Sequence, residues 1–520
     1  MRTAAAGPTT DRVRYAPRVL ALSSRLLDEL NLAEAAKAEA EWTPDLVPSQ
    51  LVNAYAAANV EAVVDYVSEK GRTSLETAPA DVIAASKWQY GRRPVAFLPL
   101  TERVLYRAVV ATLADDLPFV PRGKEAYRSF QRRALIAQGA THVVTTDLAN
   151  FYSSIPTDRL VSELVDRTGR WEPVEWLRDF WLHAADGSNG LPQVSQPSDL
   201  VAESYADELH RRLLRRNVRA WRWADDFRFA ATSANDAYAA LEIFDEEARK
   251  LGLTVNERKT RTQTIAEYGK SLDAGAERLQ KITKEVAADL TDFNPYDDSI
   301  ITPSEAQVQE GAAEAILEYW RKEKSTGQGR LDLLAQMELA SLLRHSLSIL
   351  EVLARPSAIE HCADILQSDP QLTPQVVRYL AALSEAEQGG VRSAARYIIE
   401  NIPLNRWQRL WFLDLYSQAN LAPVYDREVA IPWIESNLTD TSEVLRSSAV
   451  WALSMNWTLT QDQWNLVTGS ATSLGTPWLS AGLLNSSGPI DQRDTLLSSD
   501  KLARGVYNWT KTWDPFPPPF

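Results

Sequence analysis

Two short stretches of this chain set acidic side chains inside otherwise apolar, strand-forming sequence: VVTTDLANFYSSI (Val143–Ile155) and WRWADDFRFAA (Trp221–Ala231). Carboxylates in such surroundings cost free energy unless something cationic meets them. The first run delivers Asp147 to the end of a strand, and the second reads as a β-hairpin with Asp225 and Asp226 in its turn. An isolated Asp-Asp pair is ordinary turn chemistry. A third carboxylate from a neighbouring strand changes its meaning. Together the three make an oxygen-ligand set for two Mg²⁺ ions, with Mn²⁺ as a substitute, and such ions clamp the attacking and leaving oxygens in phosphoryl transfer.

Other stretches stand in order around this pair. Gly91-Arg-Arg93-Pro94-Val-Ala-Phe-Leu-Pro99 precedes it. Gly190-Leu-Pro192-Gln193-Val-Ser195-Gln-Pro-Ser198 lies between its halves, and Leu251-Gly252-Leu-Thr-Val-Asn256-Glu-Arg-Lys259-Thr260 follows. Taken together across Gly91–Thr260, the series resembles the reverse transcriptases. Asp147 to Tyr152 resembles their motif A and Trp223-Ala-Asp225-Asp226 their motif C, usually written YADD. The stretch from Gly190 resembles motif B, that from Leu251 motif D, and the Arg-Pro pair the fingers motif. The resemblance implies an α+β palm and fingers and an RNA-directed DNA polymerase.

Roles carry over position by position as implications of that resemblance. Asp147, Asp225 and Asp226 are the metal-holding catalytic carboxylates, and Lys259 protonates the pyrophosphate leaving group. Tyr152 matches the ring that excludes a ribose 2′-OH, which implies dNTP substrates. Gln193 touches the incoming nucleotide, while Arg93 and Lys87 grip its triphosphate. Three positions depart from the pattern: Val194 stands where motif B has Gly, Trp223 where motif C has Tyr or Phe, and Ser153 where many retroelement enzymes have Asp. The first two put ordinary template copying in question and leave the carboxylates intact.

Charge sharpens the division of the chain. The net charge is −14, yet residues 1–270 hold 35 basic and 37 acidic residues, so nearly all the acidity lies in residues 271–520, with 20 and 32. Two basic runs, Lys87 to Arg133 and Arg211 to Arg222, offer either a local positive field for phosphate or solvated helix faces. A single cysteine, Cys362, and five histidines exclude a disulfide framework and argue against a Cys/His zinc site. No apolar run is long enough for a membrane span, and the charged N-terminus lacks a signal-peptide core, so a cytoplasmic location is expected.

Residues 1–90 read as helices leading into the fingers, 91–270 as fingers and palm, and 271–303 as a helical connector ending in the breaker-rich FNPYDDSIITP. Residues 304–512 read as short amphipathic helices, and 513–520 as a Pro-rich extended tail. VRSAARYIIENI (Val391–Ile402) and LRSSAVWALSMN (Leu445–Asn456) share an Arg, then small residues, then an apolar stripe. The likeness resembles degenerate HEAT-like repeats, the alternative being an irregular helical bundle. The fold class expected is therefore an α+β reverse-transcriptase palm and fingers fused to an all-α, HEAT-like region.

No Cys/His-rich endonuclease segment and no basic maturase-like thumb follows Thr260. This architecture resembles the bacterial abortive-infection and defence-associated reverse transcriptases, the Abi and "unknown group" lineage. That resemblance implies anti-phage defence. It also implies dNTP polymerisation that is template-independent or templated by a non-coding RNA, and priming from a protein hydroxyl with single-stranded DNA left covalently attached. Homo-oligomers assembled through the helical region are implied as well. Tyr55, Tyr66 and Tyr507 are among the tyrosines available for priming. The competing readings are a conventional RNA-templated enzyme of the retron or intron type, a catalytically silent nucleotide- or phage-sensing scaffold, and a palm-fold nucleotide cyclase, whose Gly-Gly-acidic signature is missing.

Overall fold

The computed structural model describes residues 19–513 apart from 74, 77–78, 88–90, 120–121, 295–298, 326–332, 419–426, 457–458 and 486–489. The tail beyond Trp513 lies outside the described residues.

A short strand β1 (Val19–Leu20) leads into helices α1 (Ser24–Glu29), α2 (Leu32–Glu41), α3 (Leu51–Ala58) and α4 (Val60–Thr73), and returns to pair with β2 (Leu75–Glu76). Ser23 and Asn31 start α1 and α2 by accepting the N–H groups of Leu26 and Glu34 on their side-chain oxygens. The helical reading of residues 1–90 ends at Thr73. β3 (Asp81–Ser86) and β4 (Arg92–Phe97) form an antiparallel hairpin. In β3, Ile83 and Ala85 are buried while Val82 and Ala84 are exposed, the two-residue period of a half-buried strand that the small Ala-rich side chains disguise in sequence.

The central unit follows. It comprises α5 (Leu100–Ala111), α6 (Lys124–Arg132), β5 (His142–Ala149), α7 (Phe151–Ser154), α8 (Thr157–Thr168), α9 (Trp171–Ala184), α10 (Gln196–Arg215), β6 (Ala220–Trp223), β7 (Asp226–Ala231), α11 (Ala234–Lys250), β8 (Thr254–Val255), β9 (Arg261–Thr264) and α12 (Ile265–Leu290). The sheet order is β6-β7-β5-β8, with β9 also beside β5, and every pairing is antiparallel. Phe227 and Phe229 of β7 pack on Phe244 of α11, and Leu148, Leu160, Trp181 and Leu209 lie in the same core. Ser233 caps α11, and Thr264 with Glu267 forms a capping box on α12.

The segment expected to be a linker is a two-stranded hairpin, β10 (Asp292–Asn294) with β11 (Ser299–Ile301). Helices then stack in succession: Glu305–Ser325, Leu333–Val352, Thr373–Ala382, Arg406–Ser417, Glu443–Asn456, Thr476–Gly482 and Lys501–Thr510. The last two return to α3 and α4, where Trp509 meets Tyr55 edge-on at 5.6 Å.

The two cores interlock. Ile83, Ala85, Val95 and Phe97 of the β3–β4 hairpin bury into the C-terminal helices, whereas Trp451, Trp478, Leu502 and Val506 bury into the core of the N-terminal helices and central unit. Hydrogen bonds fix the seam: Asp81 Oδ2 accepts the Ser442 hydroxyl and the Val444 N–H, each at 2.8 Å, and Trp407 donates to the Leu46 carbonyl at 2.6 Å. Among the described residues, no helix is long and apolar enough to cross a membrane.

Candidate active site

β5 carries Asp147 opposite Asp226, the first residue of β7. Asp225 occupies the two-residue turn between β6 and β7, and its carbonyl accepts the Leu148 N–H at 3.3 Å. The turn closes through Ala224 at φ +49°, a left-handed conformation unusual for a residue with a side chain. Asp147 does not end its strand. Leu148 and Ala149 continue it and pair with Val255 and Thr254 of β8. On that side of β5 the ladder is interrupted between β9 and β8. The chain there makes a tight turn, Glu257–Lys259, that brings two side chains onto Asp147. Asn256 Nδ2 and Lys259 Nζ reach Asp147 Oδ2 at 3.1 and 2.8 Å, while the Asn256 N–H bonds the Asp147 carbonyl at 2.8 Å.

The three carboxylates repel one another. Burial, then the charges of Asp147 and Asp226, push the Asp225 carboxyl up to about 7, against the pull of Lys259. Burial also raises Asp226, helped by the charge of Asp147 and a hydrogen bond to it, and opposed by Arg228 and Lys259. Carboxylates crowded this way hold protons unless a cation neutralises them, and that donor chemistry fits divalent ions. No three acidic, histidine or cysteine side chains among the described residues enclose one point, and Asp147 Oδ2 is engaged by Lys259 and Asn256.

The remaining expected residues converge from the surrounding elements. Lys87 and Arg93 flank the β3–β4 turn, both exposed, with the Lys87 N–H bonded to the Gly91 carbonyl at 3.0 Å. Partial burial of its ammonium end, then the positive charges of Lys259 and Arg93, lowers the Lys87 ammonium, while Asp147 and Asp225 act in the opposite sense. The two fingers cations thus share one electrostatic neighbourhood with the carboxylates. Tyr152, on the one-turn helix α7, donates its hydroxyl to Asp199 Oδ1 of α10 at 2.6 Å. Gln193 Nε2 donates to Ser153 Oγ at 3.1 Å, and the Gln193 carbonyl accepts the Ala96 N–H of β4 at 3.3 Å. Gly190, at φ +108°, lies so close to α7 that an added Cβ would come within 2.8 Å of Ser153 Cα. Val194 keeps a left-handed backbone at φ +62°, a strained position for a β-branched side chain.

Several contributors escaped the sequence reading. Trp223 packs edge-on against Tyr127 of α6, at 5.4 Å between ring centres, and beside Phe130. That aromatic cluster accounts for the large ring before the Asp pair. The Tyr127 hydroxyl, pushed up to about 12 chiefly by burial, donates to Asp226 Oδ2 at 3.5 Å. Glu203, fully buried, accepts Arg122 at 2.7 Å and also Arg222, which lies next to Trp223. Trp223 and Asn256 lay inside motif stretches already noted in sequence, and Arg122 and Arg222 inside the basic runs; Tyr127, Phe130 and Glu203 carried no signal there.

Most of the second basic run is paired with carboxylates instead of open to phosphate. Arg211, Arg212, Arg216 and Arg222 are tied to Glu163, Asp207, Glu208, Glu246, Glu247 and Glu203 in an ion-pair network, and Arg219 donates to the Gln138 carbonyl. In the first run, Arg103 and Arg107 pair with Glu39, and Arg132 with Asp273. Lys87, Arg93, Lys124 and Arg128 form no salt bridge among the described residues.

The family described as reverse transcriptase (RNA-dependent DNA polymerase) matches residues 86–294. Those residues are a reverse transcriptase domain. It contains Asp147, Tyr152, Gln193, Asp225, Asp226 and Lys259, and begins at the last residue of β3. No curated protein matches the chain. Among solved structures, the chain is similar to telomerase from Candida albicans in complex with a fragment of telomeric RNA, at 12% identity and a TM-score of 0.27. That alignment covers 63% of this chain and 65% of the telomerase chain. A second likeness, at 10% identity and a TM-score of 0.30, is to telomerase from Candida tropicalis with a fragment of telomeric RNA, covering 69% of this chain and 68% of that one.

Proposed function

We propose that this protein is a DNA polymerase of the reverse-transcriptase type that adds dNTPs by phosphoryl transfer and acts in anti-phage defence. One observation carries the catalytic part: Asp147 and Asp226 face each other across the β5–β7 ladder, with Asp225 in the adjoining turn and the fingers cations nearby. In this reading Asp147, Asp225 and Asp226 hold two Mg²⁺ ions, which supply charge neutralisation to the attacking and leaving oxygens. Arg93 and Lys87 bind the triphosphate, Tyr152 walls off the ribose 2′ position, and Gln193 lines the nucleotide seat. Lys259 releases Asp147 and protonates the departing pyrophosphate.

The defence assignment draws on the chain's architecture. A reverse transcriptase domain continues into helices of net acidic composition instead of a basic thumb, which disfavours gripping a long template duplex there. The stacked helices, with Arg446 donating to the Asp440 carbonyl at 2.6 Å and Asp440 accepting Arg406 and Arg409, support a HEAT-like assembly surface for a homo-oligomer. Synthesis is then template-independent or copies a bound non-coding RNA. For self-priming, Tyr127 has its hydroxyl at Asp226, whereas Tyr55, Tyr66 and Tyr507 are buried packing residues.

The test is incorporation of each labelled dNTP by purified protein with Mg²⁺ and no added nucleic acid, resolved on a denaturing protein gel. A labelled, protease-sensitive band that disappears in Asp225→Ala supports the proposal. Signal that appears only with added template and primer moves the protein to the conventional RNA-templated class. A nucleotide-binding scaffold is favoured by the engagement of Asp147 with Lys259, and nucleotide binding without turnover at saturating Mg²⁺ would establish it.

A further inference from the structure

We infer that Asp199 of α10 is a positioning residue that sets discrimination between deoxyribose and ribose, by holding the Tyr152 ring in place through its hydroxyl. The inference rests on the reading of Tyr152 as the wall beside the nucleotide sugar.

Tyr152 is borne on a single helical turn that follows Asn150, itself at φ +49°. The ring packs edge-on against Phe151, at 5.6 Å between ring centres, and against the core of the central unit, which leaves its hydroxyl end to be fixed by a polar partner. That partner is Asp199 Oδ1, at 2.6 Å, on a helix of 20 residues. A hydrogen bond to a partly buried carboxylate is of the stronger, charge-assisted kind. It joins two segments far apart in sequence across the floor of the site.

Asp199 is itself held. Burial raises its carboxyl, against the Tyr152 hydrogen bond and the charges of Arg122 and Arg93, and Arg122 is pinned at 2.7 Å by the buried Glu203, one helical turn further along α10. Glu203 also binds Arg222 in the strand that leads into the Asp225–Asp226 turn. One face of α10 therefore fixes the sugar wall through Asp199 and the catalytic hairpin through Glu203. A ring free at its hydroxyl end can tilt by enough to admit a 2′-OH, so the loss expected is in selectivity and not in chemistry.

The experiment measures kcat/KM for a dNTP and for the matching rNTP in wild type, Tyr152→Ala, Tyr152→Phe, Asp199→Ala and Asp199→Asn, with thermal melting of each as a check of folding. Tyr152→Phe and Asp199→Ala should each lower the dNTP-over-rNTP ratio by about tenfold, since each cuts the same bond. The double variant should lower it no further. Asp199→Asn, whose amide oxygen still accepts the hydroxyl, should retain most of the ratio. An unchanged ratio in a folded Asp199→Ala, or an equal fall for both substrates, overturns the inference while Tyr152→Ala still loses selectivity. If Tyr152→Ala keeps full selectivity, Tyr152 is not the sugar wall, and the role of Asp199 falls with it.

Discussion

Lys259 Nζ stands 2.8 Å from Asp147 Oδ2, at the one place where the ladder beside β5 is broken to let a turn through. Its charge acts on the whole carboxylate group, opposing the upward shifts of Asp225 and Asp226. Lys259→Ala should therefore raise both carboxyls further and move the acidic limb of the pH–rate profile to higher pH. It should also lower kcat by roughly 10²-fold through loss of a proton donor. Lys259→Arg separates the two effects, because a guanidinium keeps the charge but does not give up its proton. That variant should keep the acidic limb in place and still lose rate.

The raised Asp225 carboxyl has a consequence for stability in the absence of divalent ions. Its value in the folded protein, about 7, exceeds the ordinary 3.8, so between these values the folded state binds more proton than the unfolded chain. The stabilisation is complete below about pH 4 and is lost as pH rises through 7. With EDTA present, wild type should melt at lower temperature at pH 8 than at pH 6. Asp225→Asn should remove much of that pH dependence and melt roughly 1–4 °C above wild type at pH 8. Differential scanning fluorimetry across pH 5 to 8 is the measurement, and a wild-type midpoint that climbs through this range would contradict it.

That Asp147, Asp225 and Asp226 lie together was legible because the signal is local: an acidic residue inside an apolar strand advertises its own cost. Their partners were not. Tyr127 meets Asp226 across 99 residues of sequence, and Glu203 meets Arg122 across 81. Glu203 looked like one more charge on an amphipathic helix, yet it is among the most buried acids of the chain. The Arg211–Arg222 run stays open in sequence between a phosphate field and a helix face, because only some of its counter-charges, Asp207 and Glu208, are neighbours on α10, while Glu163 of α8 and Glu246 and Glu247 of α11 arrive once the helices pack. β3 was missed because DVIAAS carries little strand-forming bulk, and it becomes a strand by pairing with β4 and burying Ile83 against the C-terminal helices.

Gly190 shows how tightly α7 and the loop before α10 are fitted together. At φ +108° a side chain is strained, and a Cβ would meet Ser153 Cα at 2.8 Å and the Tyr152 carbonyl oxygen at 2.9 Å, both backbone atoms that cannot yield cheaply. The Leu191 N–H also bonds that carbonyl at 3.0 Å. Gly190→Ala should cost about 1–3 kcal/mol of stability and push Tyr152 out of place. Steady-state kinetics should show the KM for dNTP rising more than kcat falls, with melting reporting the stability loss.

The seam between the β3–β4 hairpin and the C-terminal helices offers the most remote control of the site. Asp81 begins the strand that ends beside Lys87, and its Oδ2 accepts both the Ser442 hydroxyl and the Val444 N–H at the start of helix Glu443–Asn456. It serves that helix as a cap supplied by another segment, a contribution of about 1 kcal/mol when such an oxygen is removed. Asp81→Ala should lower the melting temperature slightly and let the hairpin move against its support. The cations at the other end of that hairpin would then be less well placed for a triphosphate. The KM for dNTP should rise several-fold with kcat changed by less than a factor of two, while Asp81→Asn, which retains an acceptor oxygen, should lie between the two. Equal KM values in Asp81→Ala and wild type would mean that the C-terminal helices hold the hairpin through its apolar face alone.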